Sequence, residues 1–205
     1  RVRMVEGPNA YDVVEVREGE REFVGSSRGV AADFALTRDD IDYAEGFDLV
    51  HTSVYSRTER YLPSLRGACG VLSFDYSGLE KLPAGYLEAT LPSVDIACLS
   101  VGALPLDEIR RVHEEMAGKG PRAVIFTCGS RGAVLFRDGE EHAVPAAAAR
   151  VIDTLGAGDA FIAACLLGLL EGRETGAMLA DAAQFAARAC ASHGAFGYPL
   201  EISRI

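Results

Sequence analysis

From residue 47 onward, short apolar runs alternate with stretches of helical periodicity, and this alternation constrains the fold more than any other feature. Phe47-Asp48-Leu49-Val50-His51 precedes a helical stretch at 58–66, and Gly70-Val71-Leu72-Ser73-Phe74-Asp75 precedes one at 84–90. Val94-Asp95-Ile96-Ala97-Cys98-Leu99 precedes a helix at 105–116, in which Leu106, Ile109, Val112, His113 and Met116 recur on one face. Ala123-Val124-Ile125-Phe126-Thr127 is apolar without alternation, as a strand covered on both faces must be. Strands alternating with helices imply right-handed βαβ units and a mostly parallel sheet with helices on both sides.

The two ends of the chain differ from this middle. Tyr11-Asp12-Val13-Val14-Glu15-Val16-Arg17, a turn at Glu18-Gly19-Glu20 and a return through Arg21-Glu22-Phe23-Val24 predict a hairpin with one wet face. A second hairpin is expected at 132–144, turning at Asp138-Gly139. Residues 156–171 are apolar almost all round, which predicts a buried helix, and the Ala-rich stretch 175–192 predicts a second helix packed close against it.

Composition excludes some functions. The formal net charge is −10, the opposite of what phosphate-backbone recognition by clustered Lys and Arg requires, so nucleic acid is not an expected partner. A phosphate on a small molecule is still compatible, because backbone N–H groups can hold it. Five scattered cysteines without a C-x-x-C pair predict reduced thiols and a cytoplasmic setting. The four histidines lack metal-ligand spacing. The most apolar run, 160–170, is short of the roughly 20 residues a membrane span needs, so no membrane association is expected. The chain opens on Arg1 with strand-like Val2-Arg3-Met4-Val5, which predicts a piece of something longer.

The densest chemistry lies in Val151-Ile152-Asp153-Thr154-Leu155-Gly156-Ala157-Gly158-Asp159-Ala160-Phe161. Gly156, Ala157 and Gly158 have almost no side chain and stand where a helix begins, with its first N–H groups unpaired and its positive dipole end exposed. Such a turn is an anion hole suited to a phosphoryl group in flight. Asp159, in the first turn, can take the proton of an attacking hydroxyl. Taken alone, the same residues also suit close helix packing with a stabilising first-turn acid.

The whole run, Asp-Thr-x-Gly-Ala-Gly-Asp-x-Phe, resembles the second signature of the PfkB (ribokinase-like) carbohydrate kinases. That resemblance implies a three-layer αβα fold with a mostly parallel sheet and a small β flap at about residues 1–30, all within one kinase domain over 1–205. It also implies ATP-dependent phosphorylation of a sugar with Asp159 as base and Gly156, Ala157 and Gly158 as anion hole. Thr127-Cys128-Gly129-Ser130-Arg131-Gly132 is similar to the family's T-x-G-x-x-G segment, so Thr127, Gly129, Ser130 and Gly132, with Gly158 and Ser100 nearby, are the expected ATP contacts. Mg²⁺ would accompany ATP. On the same grounds Asp153 and the Leu155 carbonyl are candidates to hold a monovalent cation such as K⁺. The flap would close over the sugar and can meet a second copy in a homodimer.

Within the family, Gly29-Val30-Ala31-Ala32-Asp33-Phe34-Ala35-Leu36, Asp48-Leu49-Val50-His51, Ser73-Phe74-Asp75-Tyr76-Ser77 and Ser192-His193-Gly194-Ala195-Phe196 resemble the fructoselysine 6-kinase branch. The implied acceptor is the 6-hydroxyl of a fructosamine. Another sugar or a nucleoside, or a non-catalytic nucleotide-binding homologue, are the alternatives. The family's first strand, early substrate-binding Asp and Gly-Gly-Asn segment would precede Arg1, so the sugar-gripping residues cannot be assigned, and these 205 residues alone are expected to lack competent sugar binding. Gly25-Ser26-Ser27-Arg28-Gly29 spells the hydrolase elbow, but it follows a charged hairpin strand and no partner histidine is evident. No G-x-x-x-x-G-K-[ST] is present, and Gly156-Ala157-Gly158 lacks dinucleotide spacing.

Overall fold

Six strands pair in strict sequence order, the arrangement that short βαβ connections favour. In this computed structural model, which describes residues 3–17 and 20–195, they are β3 (Leu49–Ser53), β4 (Val71–Gly78), β5 (Ile96–Ser100), β6 (Ala123–Thr127), β7 (Ala133–Arg137) and β8 (Glu140–Val144). The pairs β3–β4, β4–β5 and β5–β6 are parallel, and β6–β7 and β7–β8 are antiparallel. The parallel part and the terminal hairpin are both as the sequence predicts. The β7–β8 turn places Asp138 at φ 54° and Gly139 at φ 79°, the doubly positive pair that matches the twist of a two-residue hairpin loop. Glu140 and Glu141 leave β8 a charged edge that discourages further pairing.

The sheet is covered on both faces. On one, α4 (Leu106–Met116) buries Ile109 and Met116, and its His113 stacks on Phe136 of β7 at 4.0 Å, with Phe126 of β6 edge-on to Phe136. Asp107 and Glu108 in the first turn of α4 and His113 in the last complement its dipole. On the other face lie α5 (Ala157–Leu170) and α6 (Thr175–Ala189). Their approach is close because Gly168 has no Cβ: one there would stand 2.4 Å from Met178 Cγ. This produces the three layers, helix–sheet–helix.

Several expectations are adjusted. The helix expected at 58–66 is a 3₁₀ turn, Glu59–Tyr61, followed by α2 (Leu62–Ala68), since Pro63 suits the first turn of a helix and not its interior. The helix expected at 84–90 is α3 (Tyr86–Thr90). The α5 helix is not buried all round: Leu167 is 57 % and Leu170 44 % exposed, in one stripe with Ala163 and Asp159. One side of α5 faces the sheet and another faces α6, so a two-sided packing leaves a third side uncovered among the described residues.

The chain divides into two compact units, Arg1–Asp39 and Asp40–Ile205. The first holds the hairpin β1 (Tyr11–Arg17) and β2 (Glu20–Ser27), antiparallel with a bulge between Val13 and Val14, and runs past the 1–30 expected for a flap. Its turn at Glu18-Gly19 lies outside the described residues, as does Phe196. A short helix the sequence did not suggest, α1 (Arg38–Ala44), crosses the division. All five cysteines are free, with Cys98, Cys128 and Cys165 buried. No helix among the described residues is long and apolar enough to cross a membrane.

Candidate active site

Strand register decides which side chains meet. Paired residues of neighbouring strands share a face, and residues two apart along one strand share it as well. His51 pairs with Ser73, Ser73 with Ile96 and Ile96 with Ala123; Asp75 pairs with Cys98 and Cys98 with Ile125. Val71, Ile96, Cys98, Ala123 and Ile125 pack in one cluster with Phe161, Ile162, Cys165 and Leu166, so this is the face that α5 covers. By the same parity Ser100 and Thr127, paired with each other at the strand ends, belong to it.

The α5 helix runs against the parallel strands. Leu169, near its C-terminus, lines a small pocket with Ile96, Arg122 and Ala123 from the starts of β5 and β6. Its N-terminus therefore lies toward the carboxyl ends of the strands, where open parallel sheets bind ligands. Asp159, Gly156 and Gly158 are thus brought to the same end of the sheet as Ser100, Thr127 and the 127–132 turn.

Gly156 caps α5 with φ 75° and ψ 0°, a conformation open to glycine at little cost. The N–H of Ala157 donates to the Thr154 carbonyl at 3.3 Å, so of the three candidate amides only those of Gly156 and Gly158 have no partner among the described residues. Asp159 is exposed, and its carboxylate has no hydrogen bond or ion pair among them. A Cβ on Gly158 would meet nothing within 4 Å, whereas one on Gly156 would stand 2.7 Å from Ala195 Cβ and 2.9 Å from the Ala195 backbone oxygen. Gly156→Ala combines that clash with left-handed strain and should cost about 1–3 kcal/mol, read as a lower urea midpoint.

Asp153 ties the loop that leads into this turn. It is 9 % exposed, with Oδ1 accepting the Leu155 N–H at 2.7 Å and Oδ2 the Gly194 N–H at 2.8 Å. Each oxygen accepts a backbone amide, which fixes the loop and leaves a second lone pair on each. Among the described residues no group of three or more His, Cys, Asp or Glu is placed to hold a metal ion.

The expected ATP turn is closed by backbone hydrogen bonds. Cys128 N–H donates to the Gly132 carbonyl at 2.8 Å and Gly132 N–H to the Gly129 carbonyl at 3.1 Å. At Gly132, φ 99° and the Val144 oxygen, 2.0 Å from a would-be Cβ, exclude any side chain. Gly129 has φ 58° and open space around it, and Ser130 is exposed. The sequence reading missed Arg131, whose Nη2 donates to the carbonyls of Gly102 and Leu104 at 2.8 and 2.6 Å and so joins this turn to the loop after Ser100.

It also missed His51, Ser73 and Asp75 as members of the site. Burial pushes the Asp75 carboxyl above its usual range, with the nearby Asp159 charge adding to that and the Ser77 N–H and His51 opposing it. His51 is exposed at its surface, yet surrounding protein displaces enough water to lower its pKa, while Asp75 and Asp159 pull the other way. The signal was present: Ser73, Asp75 and Ser77 follow Val71 on one face of β4, while Leu72, Phe74 and Tyr76 make the other apolar. Gly25-Ser26-Ser27-Arg28-Gly29, by contrast, closes β2 of the two-stranded hairpin and leads into a 3₁₀ turn, Gly29–Asp33, without the strand–turn–α-helix context of a nucleophile elbow.

Comparisons with known proteins agree with this geometry. Residues 2–201 match the pfkB family carbohydrate kinase profile. The chain is 37 % identical over 201 residues to the fructosamine kinase FrlD of Bacillus subtilis, covering 96 % of this chain and 70 % of that protein. It is 31 % identical over 191 residues to the fructoselysine 6-kinase of Escherichia coli, covering 93 % of this chain and 72 % of that protein. Among solved structures, Arabidopsis thaliana ribokinase complexed with ribose and ATP superposes with a TM-score of 0.78 at 22 % identity, over 93 % of this chain and 66 % of that one. The ribokinase of Giardia lamblia gives 0.75 at 23 % identity, over 94 % and 69 %. The chain therefore spans about two thirds of the length of these ribokinases.

Proposed function

Because the chain belongs to the pfkB family of carbohydrate kinases, we propose that it transfers the γ-phosphoryl group of ATP to the 6-hydroxyl of a fructosamine such as fructoselysine. The observation that carries this reading is Asp159, exposed and without a hydrogen-bond or ion-pair partner among the described residues, beside the amides of Gly156 and Gly158, which have none there either, at the N-terminus of α5. ATP lies along the Thr127–Gly132 turn, with Ser100 beside it and its terminal phosphate directed at those two amides. As the hydroxyl attacks in line, Asp159 takes its proton and the amides stabilise the charge gathered on the transferring oxygens. Little covalent chemistry falls to the protein, so positioning and charge stabilisation supply the rate. Mg²⁺ enters with the nucleotide and needs no dedicated protein cage. Asp153 and the Leu155 carbonyl would be the groups to hold a K⁺ beside the anion hole, since each Asp153 oxygen that accepts a backbone amide keeps a lone pair a cation can use.

The fructosamine reading draws on the two relatives that match nearly the whole chain. A phosphorylation screen of the full-length protein with fructoselysine, other fructosamines, fructose and ribose tests it. The expected result is the highest kcat/KM for a fructosamine. Preference for free fructose or ribose would reassign the acceptor while leaving the kinase chemistry in place.

A further inference from the structure

The face of the sheet beneath α5 is apolar at Val71, Ile96, Cys98 and Ile125, yet at its carboxyl end it carries His51, Ser73 and Asp75. Polar groups on a covered face are costly unless they are bonded or used. Ser73 is fully buried and bonded: its hydroxyl meets His51 Nδ1 at 3.1 Å and lies 3.8 Å from Cys98 Sγ. Asp75 is half-buried, and only one of its oxygens is engaged. Oδ1 accepts the Ser77 N–H at 2.8 Å, while Oδ2 accepts nothing among the described residues.

The backbone around Asp75 is held in an unusual shape. Ser77 has φ 58°, rare for a side chain other than glycine, and the β4–β5 register breaks between Asp75 and Gly78. Tyr55 Oη contacts Ser77 Oγ at 3.0 Å and supports the turn. Bulges and left-handed residues at a strand end re-aim side chains, and they cluster beside functional sites. Here the re-aimed group is a carboxylate close enough to Asp159 and His51 for each to act on its charge.

We propose that Asp75 is a second acceptor-binding carboxylate, placed on the sheet where Asp159 stands on the helix, with His51 and Ser73 as positioning residues beside it. The proposal rests on the phosphoryl-transfer reading above. A carboxylate only accepts hydrogen bonds, so the group a ligand can offer to Oδ2 is a donor such as a hydroxyl. Asp159 consumes the proton of the attacking hydroxyl, and Asp75 takes a hydrogen bond from a neighbouring one. The site therefore selects a polyhydroxylated acceptor over a simple alcohol. His51 serves in its neutral form. Once protonated, it faces Asp75 from β4 and Asp159 from α5, with the uncharged Ser73 and Cys98 behind, and competes with the hydroxyl for both carboxylates.

The test uses full-length protein, wild type, Asp75→Asn and His51→Gln, with calorimetric binding of fructoselysine, fructose and singly deoxygenated fructoses, and with steady-state kinetics. Asp75→Asn should weaken acceptor binding roughly 10- to 100-fold, the worth of a charged hydrogen bond, and leave the KM for ATP unchanged. One deoxy sugar should bind worse than fructose to wild type but equally to Asp75→Asn. Because burial raises the pKa of Asp75, its folded-state preference is for the neutral acid; that preference favours folding below the ordinary carboxylate pKa and is lost as pH rises through the folded value. Asparagine should therefore unfold no earlier than wild type at neutral pH. His51→Gln should change the pH dependence of acceptor KM across roughly pH 5 to 8. Unchanged acceptor affinity in Asp75→Asn, or an earlier unfolding that accounts for its loss, overturns the proposal. A wild type that binds sugar and ATP but transfers no phosphate overturns the kinase reading instead, and the binding comparison still decides the role of Asp75.

Discussion

Asp159→Asn in the full-length protein should lower kcat by about 10²–10⁴, the usual contribution of a positioned general base, while ATP affinity stays nearly constant. The amide has the shape of the carboxylate but cannot take the proton of the attacking hydroxyl. Asp159 is exposed and makes no hydrogen bond or ion pair with the described residues, so the substitution should change stability by no more than about 0.5 kcal/mol. Loss of activity can then be assigned to chemistry and not to unfolding. Stopped-time assays with saturating ATP and acceptor, beside a urea titration, provide both numbers. Equal kcat in variant and parent would remove Asp159 from the mechanism.

Gly158→Val should be at least as damaging to rate as the loss of one anion-hole donor, about 10²–10³, again with the fold retained. The reason is geometric. A Cβ at Gly158 meets nothing within 4 Å, so the protein has room for it. That room is at the helix N-terminus, toward which every helical Cα–Cβ bond tilts, and it is where the proposed mechanism puts the transferring phosphoryl group. The contrast with Gly156 is sharp: two residues away, the same added carbon collides with the Ala195 backbone and damages the fold itself. Gly156→Ala should lose stability, and Gly158→Val should lose turnover with an unchanged urea midpoint. If the Gly158 variant turns over normally, the phosphoryl group does not approach these amides.

Much of this was legible from residue order. The strand runs at β5 and β6 were plain because each is apolar on both faces, β4 because Leu72, Phe74 and Tyr76 alternate with polar residues, and Asp138-Gly139 announced its hairpin because few other pairs tolerate two positive φ angles. The Gly156–Asp159 run was equally plain, since small residues before a helix and an acid in its first turn are a local chemical arrangement. Less legible was the surface of α5. Its composition is apolar on every side, yet a helix between one sheet and one neighbouring helix has only two faces to bury, and Leu167 and Leu170 are left exposed. The fate of the Ala157 amide was also hidden, because its bond to the Thr154 carbonyl depends on the turn's actual dihedrals.

By itself, the sequence determined the α/β class, the parallel core and the small-residue turn with its first-turn acid, all of which depend on neighbours within a few residues. Only the tertiary structure brought His51, Asp75 and Asp159 together, because that meeting depends on the β3–β4–β5 register and on α5 running against the strands. Register has a period of two, and a slip of one residue would turn both His51 and Asp75 to the opposite face. Pairing partners are chosen by packing over the whole sheet, which no local run of residues can encode.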